Sequence, residues 1–482
     1  MSVFTGLQPE NVWKHFAAIC SIPHPSKHEE GIAQYIISEA KRLGFAYRRD
    51  EIGNVLVVKP ATPGHESAPV LVLQGHMDMV PVAAPGVVHD FEKDPIIPYI
   101  DGHLVKAKGT TLGADNGIGG ALMLALMEDT FAHGTLEFLF TVNEESGMDG
   151  AHNLHADFVA GRRLINLDTE EFGQYYVSCA GGGDSVVTLP VNRDVMAGAI
   201  LLQISVGGLK GGHSGVDINL GRGSGNKIMA RLLDAARQAA PFRLVAIKGG
   251  NKRNSISDNA QAVIALAPGD AELVRNAVSQ HARVITAELE KTDPGLNVVV
   301  TDAGASELAP MSADSTHSVI DLLFALPHGV LAMSPEVPGL VETSTNVGIM
   351  SSTAEAFSCT SLTRSAVTSA LDTVKRQIRI IAALANATVH EPKGYPGWKP
   401  NMDSEVLKLA MGVFDKIYGK QPEVKAIHAG LECGLFSEKL PGVDMLSIGP
   451  EMRNVHSPAE ELDIPSVPKT YDLLKAIITA LA

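Results

Sequence analysis

The chain has 482 residues, of which 45% are hydrophobic and 19% charged, and its formal net charge is −15. This length exceeds what one hydrophobic core usually organises, so we expect two or three domains. The acidic balance argues against nucleic acid and anionic membranes as partners, because both require clustered Lys and Arg.

The N-terminal part of the chain alternates predicted helices with predicted strands. Apolar residues at helical spacing predict helices over residues 10–20, 28–43 and 116–127, the second of which stops at Gly44. Short β-branched and aliphatic runs predict buried strands over residues 55–58, 70–73, 136–142 and 164–167. This alternation predicts an α/β fold, with a mostly parallel sheet and helices on both faces.

The pattern changes after the run Ala180–Gly183, which we interpret as a hinge. Predicted strands follow over residues 200–206, 242–248, 260–266, 296–301 and 357–362, and predicted helices over residues 224–239, 271–289, 316–324 and 365–385. This mixture favours an α+β domain that is inserted into the first one. We therefore predict a catalytic domain formed by residues 1–185 and 391–482, with an inserted domain over residues 186–390.

Five separated side chains of metal-binding type end apolar runs or lie in glycine-flanked loops. They are His76 in VLVLQGHMDMV, Asp115 in TTLGADNGIGG, Glu145 in LEFLFTVNEESG, Asp168 in RRLINLDTEE and His456 in RNVHSPAEE. Ligands of open α/β sheets bind beyond the carboxyl ends of the strands, and three of the five residues follow a predicted strand. Two imidazoles and three carboxylates suit two divalent ions of the zinc, manganese or cobalt type that share a bridging carboxylate.

Two further carboxylates, Asp78 and Glu144, lie beside these residues. In an extended segment Asp78 points to the same face as His76, where its carboxylate can accept the imidazole N–H. The adjacent Glu144 and Glu145 would diverge in an extended strand, so that one binds metal while the other faces a water molecule. A paired metal site with a free carboxylate beside it is typical of a water-activating hydrolase.

Each of these residues also has an ordinary explanation when it is taken alone. Asp115 could cap the helix that follows it, and His456 could be a turn histidine before a proline. Asp78 could be a solvated loop residue, and the two adjacent glutamates an exposed pair at the end of a strand.

Motifs along nearly the whole chain resemble the co-catalytic zinc peptidases related to aminoacylase and glutamate carboxypeptidase. They are CSIPHPSKHEE (20–30), GHMDMV (75–80), KGTTLGADNGIG (108–119), NEESGMDGA (143–151), GLKGGHSG (208–215), HAGLECGLF (428–436) and SIGP (447–450). The combination is far more specific than a single HxD or EE pair. Within the family, the chain is most similar to members that hydrolyse aminoacyl-histidine dipeptides.

The resemblance implies two divalent metal ions per subunit, zinc before cobalt or manganese. Its ligand pattern places one ion on His76 and Asp168 and the other on Glu145 and His456, with Asp115 as the bridge. The native metal is left open by this ligand set.

The resemblance also assigns roles to five other residues. Asp78 would orient the first histidine, and Glu144 would be the general base. In the inserted domain, His213 would help to hold the developing oxyanion, and Arg364 would clamp the substrate's C-terminal carboxylate. Asn254 would be a further substrate contact. Turn and surface positions are the ordinary alternatives for the residues of the inserted domain.

The function implied is a metallodipeptidase for short peptides with a free C terminus, notably Xaa-His dipeptides such as β-alanyl-histidine (carnosine). Three alternatives stay open: an amidohydrolase acting on N-acyl amino acids, a carboxypeptidase, and a metal-binding scaffold without activity. The family's inserted domain is a lid that often dimerises, so a homodimer is an option, and His213 could act within its own chain or on the partner's site. No step is assigned to His428 or Glu432.

The remaining sequence features predict a cytoplasmic protein without a membrane segment. The N terminus lacks the pattern of a signal peptide, and no apolar run is long enough to span a bilayer. The four cysteines are scattered without CxxC spacing, so we expect buried, reduced thiols. We interpret His24 and His28 as structural residues.

Overall fold

The computed structural model describes residues 3–482, which divide into two compact units. The first unit comprises the residues up to Cys179 together with Trp398–Ala426 and Leu431–Ala482. The second unit comprises Ala180–Gly397 and the short segment Ile427–Gly430. The limits that we predicted after residues 185 and 390 differ from these by several residues, and the short segment was not predicted to join the second unit.

Helices and strands alternate along the described residues. The α-helices are α1 Glu10–Ser21, α2 Glu30–Leu43, α3 Ala114–Glu128, α4 Glu144–Gly147, α5 Asp149–Asn153, α6 Gly225–Ala239, α7 Ala271–Glu288, α8 Ala313–Ala325, α9 Thr368–Leu384, α10 Glu405–Tyr418, α11 Glu432–Lys439 and α12 Ser466–Leu481. The first strands are β1 Ala46–Arg49, β2 Val55–Lys59, β3 Leu71–His76, β4 Pro98–Asp101, β5 Leu104–Ala107, β6 Leu136–Thr141, β7 Arg163–Asn166 and β8 Gln174–Cys179.

The later strands lie mostly in the second unit. They are β9 Gly181–Pro190, β10 Ile200–Gly207, β11 Gly212–His213, β12 Phe242–Gly249, β13 Ser255–Ile256, β14 Ala260–Leu266, β15 Asn297–Asp302, β16 Gly329–Met333, β17 Val341–Ser352, β18 Ala356–Ser365, β19 Thr388–His390, β20 Glu423–Ile427, β21 Asp444–Ser447, β22 Met452–Arg453 and β23 Glu461–Asp463.

The first unit is built on an eight-stranded sheet with the order β1-β2-β6-β3-β7-β21-β8-β20. Its centre is parallel, because β3 pairs in parallel with β6 and β7, and β7 with β21. The pairs β1–β2, β2–β6 and β21–β8 are antiparallel. Neighbouring residues of β3, such as Val72 and Leu73, are both fully buried, so both faces of the central strands are covered. The carboxyl ends of β6, β3 and β7 therefore meet at one edge of the sheet.

A small four-stranded sheet ties the C-terminal part of the first unit to its N-terminal part. Its order is β22-β23-β5-β4, and Leu462 of β23 lies opposite Val105 of β5 in an antiparallel pair. The loop between β22 and β23 contains His456. This sheet is what carries a residue from near the end of the chain to the edge where β3, β6 and β7 finish.

The second unit contains a nine-stranded sheet in the order β15-β10-β14-β12-β17-β18-β9-β19, with β16 on β17. The predicted glycine hinge is not a loop, because Gly181–Gly183 begin β9 and pair with Thr363–Ser365 of β18. A Cβ atom at Gly182 would lie 2.6 Å from the ring of Tyr395, so glycine is required there for close packing. A change of unit near these glycines does occur, but the glycines themselves serve the sheet.

Two general features of the described residues bear on the expectations above. None of their helices has the length and apolar character that a membrane crossing demands. The four cysteines, Cys20, Cys179, Cys359 and Cys433, are buried and free.

Candidate metal centre

Three of the predicted metal ligands gather at the carboxyl ends of the parallel strands. His76 is the last residue of β3, Asp168 follows β7 by two residues, and Glu145 lies in the turn that follows β6. The Nε2 atom of His76 lies 3.3 Å from Oδ1 of Asp168. The sheet thus brings together side chains that are far apart in the sequence.

Asp115 lies between the two histidines. Its Oδ1 atom is 3.1 Å from Nε2 of His76, and its Oδ2 atom is 3.1 Å from Nε2 of His456. Asp115 and Asn116 interrupt the start of α3 with non-helical dihedrals, and the Asp115 side chain does not cap this helix, whose N-cap residue is Gly113. A carboxylate whose two oxygens face two different imidazoles has the arrangement of a bridge between two cation sites.

His456 completes the cluster from the loop between β22 and β23. Its Nε2 atom lies 3.0 Å from Oε1 of Glu145, and its side chain is half exposed. The backbone of His456 has φ 60°, a left-handed conformation that is uncommon for residues other than glycine. Such conformations persist only where the surrounding structure holds them, and they concentrate at functional sites.

These side chains have the chemistry of a site for two cations. The ligand atoms of His76, Asp115 and Asp168 lie within 4.8 Å of one another, as do those of Asp115, Glu145 and His456. Within residues 3–482, no Lys or Arg forms an ion pair with these three carboxylates. The Oε1 atom of Glu145 is buried and faces Nε2 of His456. Three carboxylates gathered around two imidazoles without a Lys or Arg carry excess negative charge that needs a cation, and this ligand set suits two divalent ions.

The pKa shifts of the two histidines also indicate a site for cations. Interactions with Asp115 and Glu145 raise the pKa of His456 to about 11. Burial lowers the pKa of His76, but Asp168, Asp115 and Asp78 outweigh it and raise that pKa well above its usual range. Both shifts show that the cluster stabilises positive charge.

Asp78 contacts more residues of the site than the histidine that we predicted it to orient. Its carboxylate accepts hydrogen bonds from the backbone N–H groups of Glu144 (2.9 Å) and Glu145 (3.2 Å) and from the hydroxyl of Ser26 (2.8 Å). The Nδ1 atom of His76 lies 3.0 Å from the Asp78 backbone oxygen and 3.4 Å from Oδ1. Asp78 therefore orients both the histidine and the turn that carries the two glutamates.

The prediction that Glu144 and Glu145 lie in an extended strand is wrong. The strand ends at Thr141, Asn143 adopts φ 52°, and the two glutamates form the first turn of α4. Consecutive helical side chains point about 100° apart, so the two carboxylates still diverge. Desolvation raises the pKa of Glu144 well above its usual range; His76 opposes the shift, and Asp168 and Glu145 add to it.

A row of buried polar side chains, missed by the sequence analysis, crosses the central strands just before the ligands. Gln74, Asn166 and Ser447 are opposite one another on β3, β7 and β21. Asn166 Nδ2 donates to Gln74 Oε1 (2.6 Å), and Gln74 Nε2 donates to Glu432 Oε2 (2.6 Å). Thr141 at the end of β6 donates to the same Glu432 oxygen (2.8 Å). The feature of the sequence that could have revealed this row is the presence of polar residues within otherwise apolar strands.

Glu460 was also missed. It is buried at 3% exposure, and its carboxylate accepts hydrogen bonds from four consecutive backbone N–H groups that end at Asp115. Its position four residues after His456 was the only signal in the sequence.

The two N-terminal histidines lie outside the cluster. His24 is buried, its Nδ1 atom pairs with the Ile22 oxygen, and its own backbone oxygen accepts from Met79. His28 lies 3.4 Å from Glu92 with half of its side chain exposed.

In the second unit, His213 and Arg364 lie side by side. The Nδ1 atom of His213 accepts backbone N–H groups from Gly215 and Val216, both at 3.2 Å, so in the neutral ring the proton is on Nε2. Burial, with the Arg364 charge, lowers the pKa of His213. His213 Nε2 lies 3.4 Å from Nη2 of Arg364. Two donors therefore face the same small space, which suits an anionic acceptor.

Arg364 is a buried cation without an acidic partner. It is 4% exposed, and its Nη1 atom donates to the hydroxyl of Tyr395 at 3.0 Å. In the described part of the chain, no carboxylate lies within ion-pair distance of it, and its Nε atom has no partner. His428 lies close enough for Arg364 to contribute to lowering its pKa to about 3, a shift caused mainly by burial. A buried guanidinium of this kind favours an anionic ligand.

Asn254 is the predicted contact for which the structure shows no ligand-facing side chain. Its side chain is exposed, and its backbone oxygen accepts from Ser214, the residue after His213.

Gly75 provides a test of how tightly the centre is packed. A Cβ atom there would overlap Oδ1 of Asn116, whose Nδ2 atom donates to Asp168 at 2.8 Å. We expect Gly75→Ala to destabilise the fold by about 1–3 kcal/mol through overpacking and to weaken metal binding. Chemical denaturation and zinc titration measure both effects. Gly269→Ala, where no atom lies within 4 Å, is the control, and a Gly75→Ala protein that matches it in both would contradict this account.

Similarities to known proteins agree with this architecture. Residues 72–480 match the peptidase family M20/M25/M40. The chain is 43% identical over 480 residues to the cytosol non-specific dipeptidase of Escherichia coli (strain K12), covering 99% of each. It is also similar to the crystal structure of aminoacylhistidine dipeptidase from Vibrio alginolyticus, with a TM-score of 0.93, 42% identity, and coverage of 100% of this chain and 98% of that one.

A more distant structure shares the fold alone. Aminopeptidase PepT from Bacillus cereus ATCC 10987 has a TM-score of 0.57 at 17% identity, over 98% of this chain and 99% of that one. The predicted family and the predicted α/β fold class are confirmed by the two full-length similarities. The chain belongs to peptidase family M20/M25/M40.

Proposed function

We propose that this protein is a dinuclear metallodipeptidase that hydrolyses short peptides with a free C terminus. The observation that carries this is Asp115, whose two oxygens face two separate ligand groups. The predicted dipeptidase activity is confirmed at the level of the family and of both full-length relatives. A preference for Xaa-His dipeptides, including carnosine, is the finer part of the proposal.

The distances within the cluster support one assignment of residues to the two ions. His76 and Asp168 would bind one ion, Glu145 and His456 the other, and Asp115 would bridge them. When bound, the two ions would supply Lewis acidity and lower the pKa of a water molecule. Zinc suits this ligand set best, and cobalt and manganese also suit it.

The chain's own groups would then move the protons. Glu144, whose backbone N–H is held by Asp78, would take a proton from the attacking water and later deliver it to the leaving amine. His213, with its proton on Nε2, would donate a hydrogen bond to the oxyanion that develops on the peptide carbonyl.

Arg364 would recognise the free C terminus of the peptide. It is buried, has no acidic partner in the described residues, and faces the His213 donor across 3.4 Å. A carboxylate would supply the missing acceptor in bidentate fashion. This preference for a terminal carboxylate is what would restrict the protein to short peptides with free acids.

A substrate panel tests the proposal directly. We expect Xaa-His dipeptides to be cleaved and their C-terminal amides to be poor substrates. Arg364→Ala should lower kcat/KM for the free acids by about 10–100-fold, since a charge-assisted bidentate contact contributes about 1.5–3 kcal/mol. The same change should affect the amides far less.

The control for this panel is Arg253→Ala, which removes a more exposed arginine paired with Asp184. It should leave the ratio of free-acid to amide rates unchanged. Equal rates on acids and amides by the unaltered protein would exclude the clamp. Cleavage of N-acetyl amino acids alone would favour an amidohydrolase.

Two further properties belong to the same proposal. We place the protein in the cytoplasm, in keeping with the name of the Escherichia coli relative and with four free cysteines in the described residues. We also propose that the second unit acts as a lid and that it can support a homodimer, with Asn254 as an additional contact to the peptide.

A further inference from the structure

Glu460 makes an unusual set of contacts for a buried carboxylate. Its Oε2 atom accepts the backbone N–H groups of Leu112 (2.7 Å) and Gly113 (3.1 Å). Its Oε1 atom accepts those of Ala114 (2.8 Å) and Asp115 (3.3 Å). The carboxylate thus binds the whole backbone turn that leads into the bridging residue.

No other group can take over these four hydrogen bonds without a rearrangement. Glu460 is 3% exposed, Leu112 is 1% exposed and Ala114 is fully buried, so bulk water does not reach the turn. No Lys or Arg in the described residues pairs with Glu460. Burial and the charge of Asp115 raise the pKa of Glu460 to about 7, and the backbone N–H groups oppose that shift. The carboxylate holds the turn because its two oxygens accept all four hydrogen bonds.

The same glutamate is anchored close to His456. The Glu460 N–H donates to the Ser457 oxygen at 3.1 Å, and the Ser457 hydroxyl donates to the Asn454 oxygen at 2.6 Å. These bonds fold residues 454–460 into a compact turn that includes the left-handed His456. One carboxylate therefore connects the turn of His456 to the turn of Asp115, across a separation of 341 residues in the sequence.

We propose that Glu460 is a positioning residue that fixes Asp115 and His456 relative to each other. Through this contact it sets the geometry of the group formed by Asp115, Glu145 and His456. The inference rests on the proposed function for the assignment of these residues as metal ligands. It does not depend on which peptides the protein cleaves.

Glu460→Gln in the full-length protein is the main test. The amide keeps the size of the side chain, but its NH2 group cannot accept, so two of the four backbone N–H groups lose their partner. We expect zinc titration of the metal-free protein against a chelator to show one of two ions bound about 10–100-fold more weakly. Hydrogen exchange of the amides at residues 112–115 should be faster, and kcat should fall more than KM changes.

Glu461→Gln is the matched control, because it changes the adjacent acid, which pairs with Lys106 on the small sheet. It should leave zinc affinity and exchange at residues 112–115 as they are. If Glu460→Gln binds both ions with unaltered affinity and only melts at a lower temperature, the residue is structural and the proposal is overturned. Glu460→Asp, which keeps a carboxylate, should retain more zinc affinity than Glu460→Gln, and it serves as the test variant if Glu460→Gln folds poorly. An unaltered protein that binds two zinc ions but cleaves no dipeptide would refute the proposed function and leave this inference standing.

Discussion

Glu144→Gln is expected to lower turnover at least about a hundredfold, the lower range for a lost general base, while both metal ions stay bound. The amide keeps the size of the side chain but cannot take a proton from water. Glu144 also lies within metal-binding distance of His76 and Glu145, but the ligand assignment proposed above uses His76, Asp168, Asp115, Glu145 and His456 and leaves the Glu144 carboxylate for proton transfer. The change should therefore separate chemistry from binding.

The measurements are steady-state kinetics on an Xaa-His dipeptide and elemental analysis of the purified variant. Glu51→Gln, at an exposed position of the same unit, controls for the loss of one negative charge. We expect KM to change little, because Glu144 is not expected to bind the peptide's termini. Near-normal turnover with two bound ions would show that another group acts as the base.

Asp115→Ala should empty both metal positions, whereas His456→Ala should mainly empty one. The reason is geometric, since each oxygen of Asp115 lies 3.1 Å from the Nε2 atom of a different histidine. We expect zinc content to fall from about two ions per chain to fewer than one in Asp115→Ala, with activity lost. Removal of metal by a chelator should abolish activity in the unaltered protein, and zinc, cobalt or manganese should restore it.

Asp115→Asn tests the bridging role of Asp115 and keeps the shape of the side chain. One oxygen remains, so we expect one ion to be retained more firmly than the other. Elemental analysis and zinc titration distinguish these cases, and His28→Ala, at an exposed histidine outside the cluster, is the control. Full occupancy of both positions in Asp115→Ala would exclude the bridging role.

Much of the metal centre could be predicted because its residues follow apolar strands. His76 and Asp168 come at or just after runs of buried aliphatic residues, and parallel strands gather such positions at one edge. The roles of these residues stay predictions until the variants are measured. The spacing of residues along the chain does not indicate which distant group a side chain contacts. For this reason the row of buried polar residues and Glu460 were missed.

The second unit shows the limits of reading strands from apolar patterns. β17, with the sequence VETSTNVGIMSS, is mostly buried although seven of its twelve residues are polar. Two of its polar side chains pair across the strands, Thr343 with Ser365 and Thr345 with Thr363 on β18. Neither alternation nor a continuous apolar run marks such a strand. The glycines of β9 were misinterpreted for a related reason, since close packing against Tyr395 is a long-range property.

The position of β21 in the sheet has a consequence for how the protein is made. This strand, Asp444–Ser447, lies at the interior of the sheet beside β7, and the C-terminal helix α12 contributes Leu474 and Ile477 to the same core. A ribosome delivers these residues more than 300 positions after β3 and α3, so the nascent chain carries His76 and Asp115 long before it has the strand and the histidine that complete their surroundings. We therefore expect a nascent chain that lacks β21 and His456 to be inactive, so that peptide cleavage begins only after both have emerged.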